Sequence, residues 1–117
     1  MPQNWLEFWQ KKNNFDEKMH DNYNFFLSKV ENYITLSDSL MVLDLGSGLG
    51  HLADAWHNRV KAIHGADVSE RYNAIAAAKH SNHNNIFFHH INPNDYLNLN
   101  VLPDIKFNLV VVMSVLQ

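Results

Sequence analysis

The chain has 117 residues, 46% of them hydrophobic, with 12 acidic against 9 basic side chains and a formal charge of −3, the balance of one ordinary globular domain. Its Lys and Arg are scattered, which gives no electrostatic footprint for a phosphate backbone or an anionic membrane surface, so nucleic acid is not expected as the primary partner. The absence of cysteine excludes a disulfide framework, a thiolate nucleophile and a finger-type zinc site, and the longest apolar runs, 74–78 and 109–113, fall far short of the roughly 20 residues of a membrane span.

The amino terminus, Met1-Pro2-Gln3-Asn4-Trp5 followed by Glu7, lacks the basic and then apolar pattern of a signal segment, and a cytoplasmic location is expected. Trp5-Leu6-Glu7-Phe8-Trp9 reads as a short helix whose rings cover the domain edge. From Met19, the residues Tyr23, Phe26, Leu27, Val30, Tyr33 and Ile34 recur on one stripe of a 3.6-residue period and predict an amphipathic helix packed on something apolar. Core contact is the plain reading of that stripe, and a role for its aromatics in lining a substrate is the alternative.

After Ser37-Asp38-Ser39 the pattern changes to Leu40-Met41-Val42-Leu43-Asp44-Leu45, a run suited to a strand buried on both faces. A glycine loop follows, then a predicted helix over 51–58 and a second strand over 60–66. Ser69 is placed to cap a third helix containing Ala74, Ala76, Ala77 and Ala78. Residues 85–91, around Ile86-Phe87-Phe88, predict the third strand, and 107–113, around Val110-Val111-Val112, the fourth, with a short helix between them. This alternation implies an α/β fold with a parallel sheet, right-handed crossovers, helices on both faces, and ligands bound beyond the carboxyl ends of the strands.

The chemistry concentrates in Val42-Leu43-Asp44-Leu45-Gly46-Ser47-Gly48-Leu49-Gly50, where glycines at alternate positions between strand and helix let a ligand approach the backbone. The third glycine comes four positions after the first, whereas the pyrophosphate fingerprint wants Gly or Ala at the fifth, which is His51; nicotinamide and flavin binding are disfavoured. No Lys-Ser or Lys-Thr pair follows, which excludes a P-loop. Twenty-one residues beyond Gly46, Asp67 ends the second strand, where an acid can accept from both hydroxyls of a ribose. A cap or turn role remains the plain alternative for Asp44 and for Asp67.

With these residues in place, the segment from Leu40 to Gln117 resembles the class I S-adenosylmethionine-dependent methyltransferases. The resemblance implies that Asp44 and the loop residues Gly46, Ser47, Gly48 and Gly50 hold the methionine end of the cofactor, that Asp67 holds the ribose, and that Val68 packs on adenine. The family's next position is an aspartate after the third strand. Here Asn92 stands in its place, followed by Pro93, which has no N–H, so that Asn94 would supply the backbone donor; Asp95 is the rival if the strand ends later. Met113 would offer backbone groups near the methionine moiety. A cofactor bearing a sulfonium and an ammonium suits a site with carboxylates and no phosphate-binding lysine.

Met113-Ser114-Val115-Leu116 lacks the Asn/Asp-Pro-Pro-aromatic turn of enzymes that methylate adenine bases and glutamine, and the run Ser114-Val115-Leu116-Gln117 resembles instead the small-molecule and lipid-quinone branches, with a plain buried strand running into a helix as the alternative. No catalytic base is identifiable, and the eight histidines suggest no metal site: His89 and His90 are adjacent on a strand and so face opposite ways, and only His51, at the loop exit, is placed to touch a ligand. The implied organisation is one partial domain, with 1–36 as a helical segment and 40–117 as the cofactor-binding half. It would carry the first four strands, ordered 3-2-1-4, of a seven-stranded sheet. The apolar fourth strand would then lie at an open edge, and a fragment prone to oligomerise through that edge is expected. A noncatalytic cofactor-binding or scaffold module and a nicotinamide-binding Rossmann domain are the alternatives.

Overall fold

The computed structural model describes residues 15–95 and 98–112, with the side chains of 15–21 left aside. The expected helix at 5–9, Met113 and the 114–117 run therefore lie outside the described residues. In chain order the elements are α1 (Phe15–Val30), β1 (Met41–Leu45), α2 (His51–Trp56), β2 (Ala62–Asp67), α3 (Glu70–Lys79), β3 (Ile86–His90) and β4 (Leu109–Val112). All strand pairings are parallel, in the order β3-β2-β1-β4.

Registers running Val42↔Ile63↔Ile86 and Asp44↔Gly65↔Phe88 lie on one face of the sheet, and Leu43↔His64↔Phe87 on the other. Val42, Ile63 and Ile86 form one core with Tyr23 and Leu27 of α1 and with Leu52, Ala53 and Trp56 of α2. Truncating a fully buried indole such as Trp56, or any other large ring at the centre of such a core, costs about 3–5 kcal/mol. α3 lies on the same side, where Ala76 is fully buried beside Gly50 and Phe88. The described helices thus share one face. On the other, Leu43 and His64 are buried, Phe107 packs edge-on against the His64 ring, and Phe87, Val110 and Val112 are exposed.

Two local expectations are corrected. The apolar stripe runs past its helix: α1 stops at Val30, a tight turn follows through Asn32 N–H to Lys29 C=O and Tyr33 N–H to Val30 C=O, and Tyr33 and Phe26 are exposed. Between β3 and β4 the described residues form successive turns rather than a short helix. Asn92 Oδ1 takes the N–H of Asn94 at 2.9 Å and Asn98 Oδ1 that of Asn100 at 3.0 Å, while Pro93 and Pro103 contribute no N–H. Such side chain to backbone bonds compete directly with helix formation. Asn108 then starts β4 by exchanging two bonds with Met41: its N–H donates to the Met41 carbonyl, and its Oδ1 accepts the Met41 N–H.

Candidate functional site

The chain's four glycines all serve the β1 loop. Gly46, Gly48 and Gly50 have φ of 78°, 55° and 84°, a region costly to side chains with a Cβ, and the loop folds back on β2 through bonds from Gly46 N–H and Ser47 N–H to the Ala66 carbonyl. Gly65 lies beneath it in β2. A Cβ there would stand 2.8 Å from both Ser47 and the Phe88 ring, so only glycine lets the loop sit against the sheet. The sequence reading missed Gly65, whose one available signal was a glycine inside an otherwise regular strand.

The two acids converge on this loop. Asp67 accepts the Gly48 N–H on Oδ2 at 2.9 Å and the Ser69 N–H on Oδ1 at 2.8 Å, which ties the loop to the tip of β2 and to the start of α3. Burial raises its carboxyl above the usual carboxylate range, against the lowering effect of those N–H donors. Asp44, in β1, is 1% exposed and takes the Tyr23 hydroxyl on Oδ1 at 3.2 Å. Burial pushes it up to about 7; the Tyr23 bond lowers it and the nearby Asp67 charge raises it. The Tyr23 phenol is itself pushed up by burial and by Asp44. The sequence places Tyr23 on an apolar stripe, as core or as an aromatic lining a substrate, and not as the partner of Asp44. The signal available was its hydroxyl, which needs a partner once the ring is buried.

Ser69 caps α3, its Oγ accepting the Tyr72 N–H, and the Asn73 amide bonds the carbonyls of Asp67 and His89, so the tips of β2 and β3 are fastened to α3. Val68 is half-buried at the same tip, and its carbonyl accepts from His90 Nε2. Asn92 is exposed two residues beyond β3, with its amide oxygen engaged by Asn94 N–H, the group expected to serve as a free donor. Asn92 and Asp95 border one open hollow of about 300 Å3, with Asn98, Asn100 and Val101. His51 is buried, its ring 5.6 Å from that of Tyr23, and so lies behind the loop rather than on an open wall.

Elsewhere, His89 turns to the opposite face of the sheet, where its Nε2 is 2.8 Å from His64 Nδ1, and burial lowers the pKa of both rings. His57, His80 and His83 cluster beside Asp54, with His57 and His83 ring centres 4.1 Å apart. Among the described residues, no group of three or more His, Cys, Asp or Glu is arranged to hold a metal ion. No described helix is long and apolar enough to cross a membrane.

Solved structures share this architecture. The YcgJ protein of Bacillus subtilis matches with 23% identity and a TM-score of 0.61, over 74% of this chain and 36% of its own. The S-adenosylmethionine-dependent methyltransferases of Thiobacillus denitrificans and Geobacter sulfurreducens, both solved with S-adenosylhomocysteine, match with 22% identity and TM-scores of 0.59; they cover 75% and 76% of this chain and 35% of their own. A dimethyladenosine transferase of Plasmodium falciparum matches with 20% identity and a TM-score of 0.61, over 75% of this chain and 30% of its own. The chain spans about a third of the length of these structures, and at such identities the likeness establishes the Rossmann-like fold. No curated protein sequence matches the chain. The methyltransferase domain family model matches residues 42–117, from β1 through β4, and the chain belongs to that family.

Proposed function

We propose that this chain is the S-adenosylmethionine-binding half of a cytoplasmic methyltransferase acting on a small or lipid-like acceptor, with 1–36 as a helical segment and 40–117 as the cofactor-binding part. The observation that carries the reading is the carboxylate of Asp67 fastened to the middle of the glycine loop through the Gly48 N–H. That bond sets a sugar-binding acid against a backbone bare enough for close approach.

The residues fit a sulfonium nucleoside. Each oxygen of Asp67 takes one backbone donor and keeps acceptor capacity for a ribose hydroxyl. Ser47 Oγ is buried under the loop with no hydrogen-bond partner among the described residues. Asp44 places negative charge beneath the loop, suited to the ammonium of an amino-acid end and hostile to a phosphate. Val68 offers apolar surface beside Asp67 for the base, and Asn92 or Asp95 polar atoms at the hollow beyond β3. When bound, the cofactor supplies an electrophilic methyl group on sulfur. The chain's own part is to fix that ligand's two ends and exclude water around it, contributions of positioning rather than of proton transfer.

Titration calorimetry with S-adenosylhomocysteine and with NAD tests the reading. The former should bind, Asp67→Ala should lose at least tenfold in affinity by removing both hydroxyl acceptors, and NAD should not bind. Binding of NAD in preference, or binding of S-adenosylhomocysteine indifferent to Asp67→Ala, overturns it. Methyl transfer into candidate small-molecule and lipid acceptors separates an enzyme from a cofactor-binding scaffold.

A further inference from the structure

We propose that Tyr23 is a positioning residue of the cofactor site: from α1 it donates its hydroxyl to Asp44 and keeps that carboxylate charged for the cationic amino-acid end of the ligand. The inference rests on the function proposed above and adds α1, which lies outside the segment matched by the family model, to the site.

The geometry is specific. Tyr23 is 6% exposed and Asp44 1%, so their bond is shielded from water, where a hydrogen bond to an ionised group is stronger than at a surface. The groups facing Asp44 can be named element by element. From α1 comes the Tyr23 hydroxyl; from the tip of β2 comes Asp67, whose negative charge opposes ionisation; from the start of α2 comes His51, behind the Tyr23 ring; and the β4 neighbour in register, Val111, carries no charge. Among the described residues the donor to the Asp44 side chain is Tyr23. A buried carboxyl with a like charge nearby and one donor is poised between its two states, and the donor favours the charged one.

A cation binds well only to the charged form, so affinity should depend on pH in a way that Tyr23 controls. Tyr23→Phe keeps the ring in the core and removes the hydroxyl alone. Calorimetry with S-adenosylhomocysteine on the whole chain, from pH 6 to pH 8.5, gives the ratio of the variant's dissociation constant to that of the unaltered protein, from which the ligand's own ionisation cancels. We expect a ratio of about three to ten at pH 6.5 to 7, falling toward one by pH 8.5 as Asp44 ionises without help. In the free proteins, the 13C carboxyl resonance of Asp44 should titrate about one pH unit higher in Tyr23→Phe.

A ratio of one throughout, or a ratio above one that does not change with pH, reduces Tyr23 to a packing residue and overturns the proposal. An unmoved Asp44 titration does the same. If neither protein binds S-adenosylhomocysteine, the proposed function fails by itself, and the carboxyl titration of the free proteins still decides whether Tyr23 sets the charge of Asp44.

Discussion

Asp44 is fully enclosed and its carboxyl is pushed up to about 7 from an ordinary value of 3.8, chiefly by burial. The folded protein therefore holds this proton more tightly than the unfolded chain does, and stability falls as pH rises from about 4 to about 7. Above that window the fold carries the whole cost of a buried charge. Asp44→Asn, which keeps the shape and an acceptor for Tyr23, should raise unfolding stability by roughly 2–4 kcal/mol at pH 8 and leave it nearly unchanged at pH 4, as read from urea unfolding at both pH values. A residue retained against such a cost fits a ligand-binding role better than a structural one. Both acids were legible in the sequence because a strand end and a spaced glycine run fix where they stand. Tyr23 was not, since its partner lies 21 positions away and is reached only through the packing of α1. Asn92 was legible by position, but its bond to Asn94 N–H, a local Asx turn, was not.

At the scale of elements, the start of α3 is tied to the site through Ser69, whose hydroxyl caps the helix while its N–H binds Asp67. Ser69→Ala keeps the N–H and loses the cap; it should cost about 1 kcal/mol in thermal or urea unfolding and leave affinity for S-adenosylhomocysteine within about twofold. Gly65→Ala is the harsher change. Its methyl group would meet Ser47 and the Phe88 ring at 2.8 Å, and a destabilisation of about 1–3 kcal/mol together with weaker ligand binding is expected as the loop is lifted off β2. All four strands and the two helices after the glycine loop and after Ser69 could be read from the sequence, since apolar runs between polar breaks report burial directly. The end of α1 and the β3–β4 connection could not. There the outcome turns on which backbone N–H groups asparagine side chains capture and on where a turn tightens, and neither leaves a periodic trace.

At the largest scale, the described helices cover one face of the sheet, while Phe87, Val110 and Val112 stand exposed on the other and, among the described strands, β4 stands at an edge with β1 as its paired neighbour. Exposed apolar side chains on an edge strand favour pairing between copies. Size exclusion across a hundredfold range of concentration should show association of this chain, and Val110→Lys with Val112→Lys should shift it toward the monomer; a monomer at every concentration would remove the edge as an interface. The parallel sheet was foreseeable because strands alternate with helices, and its order because the glycine loop and its spaced acid resemble a known family, whereas the distribution of helices between faces depends on contacts that no local pattern encodes. One bond, from Gly48 to Asp67, closes the first strand-helix-strand unit at its tip. Its consequence is thermodynamic preorganisation: the entropy of fixing the glycine loop is lost when the protein folds, so an arriving nucleoside meets a rigid rim and converts more of its contact energy into residence time.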